Sequence, residues 1–295
     1  MKRNKKKGMT YRLLLLTTTL FLSINTWAQL RIYHSNDTHS QLDTITYGPY
    51  VGMGGAALRY GYLYQEKAWK NNYDSLGLDS LENLDFLLLD AGDAVQGTPY
   101  FNLFEGRVET EVMNVLGYDA TCLGNHEFDN GLEALKERIR LSRFPVLCAN
   151  YETKATALSG LLRPYIILKR KGLKIGIIGL TINLDGMVSK DKIRGLTYQN
   201  PITMANLYAD SLRNIYHCDL IICLSHLGYN TTENIDGSND LKLAQESRNI
   251  DLIIGGHTHT FLEKAEVQQN LDNRSVFIVQ SGALGAKIGK FIWNK

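Results

Sequence analysis

Histidine placement is the feature of this chain that points most directly to chemistry. Five of the seven histidines, His39, His126, His226, His257 and His259, lie just past the end of a short apolar run, each within a motif rich in carboxylate, amide or glycine. Asp37-Thr38-His39 sets a carboxylate and an imidazole at i and i+2, which point the same way from an extended or turning backbone. Asp90-Ala91-Gly92-Asp93 follows the strand-like Phe86-Leu87-Leu88-Leu89. Acids at the end of a buried strand need compensation for their charge; a metal would supply it at Asp93, whereas Asp90 fits a capping or supporting role. Gly124-Asn125-His126-Glu127-Phe128-Asp129 offers an amide oxygen able to ligate a metal, an imidazole, and a carboxylate three residues on to orient that imidazole. Ser225-His226 and Gly255-Gly256-His257-Thr258-His259 complete the set, with glycines that let backbone approach a site closely. His34, inside a strand-like run, reads as buried support, and His217 as solvent-facing.

These donors are too many for one tetrahedral zinc site. They suit two adjacent divalent cations sharing a bridging carboxylate, an arrangement that holds ions about 3.5–4 Å apart and clamps the attacking and leaving oxygens of a hydrolysis. Mixed nitrogen and oxygen donors favour Mn, Zn, Fe or Co over Mg or Ca and do not choose among the four.

Open α/β sheets build such sites at the carboxyl ends of their strands, and the pattern supplies the strands. Short apolar runs predict strands over Arg31–Ser35, Phe86–Ala91, Ala120–Leu123, Val146–Ala149, Lys174–Leu180, Leu220–Ser225, Asp251–Gly255 and Val276–Gln280. Amphipathic stretches between them predict helices over Gly55–Trp69, Arg107–Leu116, Gly131–Leu141, Pro201–Ile215 and Asp240–Arg248, the third with Leu132, Leu135 and Ile139 in one stripe. Alternation of this kind marks a βαβ-type chain. With no internal repeat, no linker and five prolines, one mixed domain is the simplest account.

Of 295 residues, 44% are hydrophobic and 21% charged, which excludes wholesale disorder, collagen-like and coiled-coil classes. The formal charge of +2 hides an asymmetry. Residues 1–12 carry six bases and no acid, the apolar run Leu13–Ile24 follows, and Thr26-Trp27-Ala28 gives a small-x-small cleavage pattern. That order predicts a secretory signal peptide over residues 1–28, its apolar core short of the ~20 residues a membrane span needs. Export to the periplasm or medium follows, without a stable membrane anchor after cleavage. Removing the signal leaves 32 − 6 = 26 bases against 30 acids, or −4, which argues against a nucleic-acid polymer as partner. Of the four cysteines, Cys122, Cys148 and Cys223 sit in apolar runs and read as small buried hydrophobes; among possible bridges, Cys122 with Cys148 is the first candidate.

The ordered series Asn36-Asp37-Thr38-His39, Gly92-Asp93, Gly124-Asn125-His126-Glu127-Phe128-Asp129, Ser225-His226 and Gly256-His257-Thr258-His259 resembles the calcineurin-like metallophosphoesterases. Within them it resembles specifically the catalytic N-terminal domain of the bacterial 5′-nucleotidase / UDP-sugar hydrolase / 2′,3′-cyclic phosphodiesterase family. The resemblance implies an α/β fold, a four-layer αββα sandwich of two mixed sheets flanked by helices, over a catalytic domain spanning residues 29–295. It implies one metal on Asp37, His39, Asp93 and His259, and another on Asp93, Asn125, His226 and His257. Some relatives carry Gln where His259 stands, so metal preference does not transfer. His126 and Asp129 would be the catalytic dyad, with Asn125 and His126 also facing the substrate. The implied reaction is attack by a metal-bound hydroxide on a phosphate monoester, most readily a nucleotide, with His126 stabilising the phosphoryl charge. Such relatives continue into a second, substrate-binding domain, whereas this chain ends at Lys295, soon after Ser281–Gly289. Two alternatives follow: a catalytic subunit needing a separate 5′-nucleotidase C-terminal-domain protein, or a 2′,3′-cyclic phosphodiesterase or UDP-sugar hydrolase. A sulfur-ester hydrolase shares the metal frame, and a non-enzymatic metal-binding module is a third class.

Overall fold

A computed structural model describes residues 29–66, 68 and 81–294. The expected export signal and Trp69, the last residue of the first expected helix, lie outside the described residues. The strands are β1 (Gln29–Ser35), β2 (Phe86–Asp90), β3 (Ala120–Cys122), β4 (Val146–Leu147), β5 (Tyr151–Glu152), β6 (Tyr165–Arg170), β7 (Leu173–Thr181), β8 (Thr197–Tyr198), β9 (Leu220–His226), β10 (Leu252–Gly255), β11 (Glu266–Gln269), β12 (Ser275–Val279) and β13 (Gly289–Asn294). One sheet runs β13-β1-β2-β3-β4 and a second runs β11-β12-β10-β9-β7-β6. In the first sheet only β13 is antiparallel to its neighbour. In the second, β6 and β11 are the antiparallel edges of a parallel centre.

The period of two along each strand decides the layering. Leu30, Ile32, Leu87 and Leu89 of the first sheet meet Ile175, Ile177, Leu220, Ile222, Leu224, Leu252 and Ile254 of the second in one core between the sheets. Their alternates face outward: Tyr33, Phe86 and Leu88 pack on Leu63 of the Ala56–Gln65 helix and on Met113 and Leu116 of the Arg107–Leu116 helix. Ile178, Leu180, Ile221, Cys223 and Ile253 pack on Ile202, Ala205 and Ala209 of the Pro201–Asp210 helix and on Leu243 and Ala244 of the Asp240–Glu246 helix. Strands buried on both faces read as unbroken apolar runs, and the layers are helix, sheet, sheet, helix, as the resemblance implied.

All eight expected strands form, most within a residue or two of their expected ends. The Pro201–Ile215 stretch is α-helical to Asp210 and closes in a π turn over Ser211–Ile215. All four cysteines are free and buried, in line with the reading of Cys122, Cys148 and Cys223 as small buried hydrophobes; the candidate Cys122–Cys148 bridge does not form. Cys122 packs between the sheets, whereas Cys148 belongs to a separate cluster with Leu123, Phe128 and Leu135.

Candidate metal centre

Each expected ligand sits at or just past the carboxyl end of a parallel strand: Asp37 and His39 after β1, Asp93 after β2, Asn125 after β3, His226 ending β9, and His257 and His259 after β10. The backbone turns sharply there. Asp37 (φ 49°), His39 (46°), Asp93 (53°), His257 (72°) and His259 (52°) all occupy the left-handed region. L residues adopt it at a cost of about 1–3 kcal/mol each where the surroundings dictate it. The surroundings do so through backbone bonds: the Asp37 amide donates to Gly92 O (2.9 Å), the His39 amide to Asp93 O (3.0 Å), and the Leu284 amide to Asp37 O (2.7 Å).

The structure brings all seven expected ligands together. Nitrogen and oxygen atoms of Asp37, His39 and His259 lie within 4.8 Å of one another, as do those of Asp93, His226 and His257, and of His39, Asp93 and His126. Asp93 thus belongs to two groups, as a bridging ligand would. Asn125 Oδ1 is 3.1 Å from His257 Nδ1, and His39 Nε2 is 2.9 Å from His259 Nε2. Asp37, Asp93 and His226 are fully withdrawn from solvent, whereas His259 keeps an open side.

The donor set fits cations. His226 Nδ1 donates to Ala91 O (2.7 Å), so its buried Nε2 turns toward Asp93 Oδ2, 3.0 Å away, without hydrogen-bond alignment. A lone pair held this close to a carboxylate is unfavourable unless a positive charge lies beside both. Without a metal that charge is a proton: burial acts to lower His226, but the Asp93 and Asp37 charges push it up to about 10. Burial acts to raise Asp93, yet the charges of His226, His126 and His39 hold it well below the carboxylate range. Burial, against His226, drives Asp37 up to about 8, and burial drives His39 down to about 4. His257 and His259 are lowered, again first by burial, which favours the neutral imidazoles that metals require.

His126 Nδ1 lies 2.7 Å from Asp129 Oδ2, and its amide donates to Asp93 Oδ1 (2.9 Å). Burial opposes protonation of His126, but the Asp129 bond and the Asp93 charge outweigh it and raise its pKa. Asp90 takes the expected supporting role, accepting from Ser35 Oγ (2.6 Å), Thr121 Oγ1 (2.9 Å) and the Gly92 amide (3.0 Å). His34 is buried and His217 exposed, as expected.

Sequence reasoning missed four supports. Glu127 turns away from the cluster and accepts from the amides of Asp93 (3.0 Å), Ala94 (3.0 Å) and Gly124 (2.7 Å), fixing two ligand loops on one carboxylate. Asn36 donates to Asp37 Oδ2 and to Gly282 O, both at 2.6 Å. Asp240 accepts from Ser225 Oγ (2.5 Å) beneath His226. Glu233 meets His257 Nε2 at 2.5 Å. Only Glu127 and Asn36 stood inside quoted motifs, and nothing in their type announced a bond to backbone or to a neighbouring ligand.

The family model described as "Calcineurin-like phosphoesterase" matches residues 30–261. The chain is 34% identical over 283 residues to the snake venom 5′-nucleotidase of Naja atra, covering 88% of this chain and 49% of that protein. It is 32% identical over 293 residues to the 5′-nucleotidase of Rattus norvegicus, covering 92% of this chain and 47% of the other. The 5′-nucleotidase precursor of Thermus thermophilus superposes with a TM-score of 0.75 at 31% identity, covering 89% of this chain and 50% of that one. The chain therefore spans about half the length of these relatives.

Proposed function

This chain belongs to the calcineurin-like phosphoesterase family, and from that premise we propose that it is an exported two-metal phosphoesterase acting on phosphate monoesters, nucleoside 5′-phosphates foremost. The observation that carries the reading is the convergence of Asp37, His39, His259, Asp93, His226 and His257 around two buried carboxylates. Asp37, His39, Asp93 and His259 would hold one cation and Asp93, Asn125, His226 and His257 the other. When bound, the cations would supply Lewis acidity and an activated water. The chain's own groups do the rest. Asp129 fixes the His126 ring through Nδ1, so Nε2 is the nitrogen left to present a proton to a phosphoryl oxygen or to the leaving alkoxide. Asn125 and His126, adjacent on one loop, would face the same phosphate. Glu127 and Asn36 hold the loops so that these groups need not reorganise during reaction.

Nucleotide preference rests on the relatives' names and export on the pattern of residues 1–28. A second reading follows from the half-length match: base-selective contacts come from outside residues 29–295, whether from a further domain or from a separate chain. Protein covering residues 29–295 should hydrolyse p-nitrophenyl phosphate when reloaded with Mn or Zn after chelation and dialysis. Undiminished turnover in excess chelator would contradict the metal-dependent reading. A panel of nucleoside 5′-phosphates, 2′,3′-cyclic phosphates, UDP-sugar and the aryl ester then separates the readings. Preference for the aryl ester alone favours selectivity supplied from outside.

A further inference from the structure

His257 has one ring nitrogen on each side of a boundary. Nδ1 faces the cluster, 3.1 Å from Asn125 Oδ1, and Nε2 faces outward, 2.5 Å from Glu233 Oε2. A carboxylate only accepts, so the proton of a neutral imidazole belongs on Nε2, leaving the Nδ1 lone pair to face the Asn125 oxygen. With the Asn125 oxygen toward the ring the two acceptors repel one another unless a cation lies between them, and a bound ion would hold the amide in that orientation. From this contact we propose that Glu233 is a positioning residue for the second metal site: it fixes His257 in the tautomer and ring angle that present Nδ1 to the ion. The proposal rests on the reading of His257 as a metal ligand.

Glu233 is well placed for this despite its exposed side chain. It belongs to the loop between β9 and the Asp240–Glu246 helix, and that loop is pinned on both sides of it. Asn234, itself buried, donates to Leu227 O (3.1 Å) and Ser238 O (2.7 Å) and accepts from the Asn183 amide (3.0 Å). Asn239 donates to Thr231 O (3.1 Å), and the Glu233 amide donates to Thr231 Oγ1 (3.2 Å). The loop lies directly against the ligand segment: a Cβ on Gly228 would come within 2.6 Å of Thr231 Cγ2, 2.9 Å of Thr258 Cγ2 and 3.4 Å of His257 Cδ2. The arrangement also matches its neighbours, since His226 and His126 each have Nδ1 held by an acceptor, Ala91 O and Asp129. Partners of this kind on ligand histidines typically change metal affinity by about 10–100-fold.

The test uses zinc alone on the full chain and its Glu233→Ala, Glu233→Gln and His257→Ala variants, titrated calorimetrically with metal content measured in parallel. Glu233→Ala should weaken the second zinc equivalent by about 10–100-fold and leave the first unchanged. Glu233→Gln, whose amide oxygen can accept the same proton, should restore most of the affinity. In metal-free protein, ¹⁵N spectra of His257 should report the Nε2–H tautomer, mixed in Glu233→Ala. Parent-like zinc affinity in Glu233→Ala, when His257→Ala has lost an equivalent, would overturn the role of Glu233 alone. Two retained equivalents in His257→Ala would overturn the ligand reading and this proposal together. A metal-free parent in the Nδ1–H tautomer would also overturn it.

Discussion

Asp37 and Asp93 are withdrawn from water into the same cluster, and what lies between them decides their charge. In the metal-free chain burial favours a proton on Asp37 and the neighbouring carboxylates favour one on His226, whereas two cations would favour both carboxylates ionised and every ligand imidazole neutral. Substitutions should separate holding the metal from using it. His126→Ala is expected to keep the metal content of the parent and lose about 10²–10⁴-fold in turnover of p-nitrophenyl phosphate, read by elemental analysis beside steady-state kinetics; unchanged turnover would remove His126 from the reaction. Gly124→Ala should do the reverse damage. Its Cβ would stand 2.1 Å from Asp93 Oδ1, so Asp93 must move and metal should be lost at equilibrium dialysis. The ligands were legible because His, Asp and Asn after apolar runs have few other reasons to gather. Glu233 was not legible: it stands among polar residues of an ordinary-looking loop, 24 positions from the histidine it meets.

The elements hold the cluster by packing two sheets at close range. Gly179 of β7 lies against Leu147 of β4, where a Cβ would come within 2.5 Å of Leu147 Cβ and 2.7 Å of its backbone. Gly179→Ala should therefore cost about 1–3 kcal/mol as the sheets are pushed apart, measured by urea unfolding; a stability equal to the parent's would mean that the sheets yield freely. The first sheet's edge carries a second constraint. His34 of β1 is buried opposite Gly289 of β13, and burial holds its pKa down at about 4 against an ordinary 6.5. The folded state favours neutral His34, so its contribution is full above pH 6.5 and is lost as pH falls toward 4. The loss reaches about 3 kcal/mol. His34→Leu should flatten the fall in stability over that window relative to the parent, a difference in which titrations common to both proteins cancel. An unchanged pH slope would place the proton elsewhere. The central strands were readable as apolar runs because both faces are buried. The edge strands β6, β11 and β13 were not, since sequences such as Glu266–Gln269 and Gly289–Asn294 mix polar and apolar residues and are strands only by pairing with a neighbour.

At the scale of the whole molecule, the match from residue 30 to 261 carries the family, while the half-length alignment with the 5′-nucleotidases leaves substrate choice to experiment. Among the described residues no helix is long and apolar enough to cross a membrane. The basic excess belongs to residues 1–28, and the remaining chain is formally −4, with 26 bases against 30 acids. Attraction of an anionic phosphate would then come from the metal centre, where two divalent charges exceed those of Asp37 and Asp93. The two-metal centre is the claim on which the rest depends, and metal stoichiometry against activity tests it most directly. Chelated, dialysed protein should be inactive on p-nitrophenyl phosphate and recover as Mn or Zn is added, saturating at two equivalents per chain. Saturation at one equivalent, or full activity with none, would contradict it.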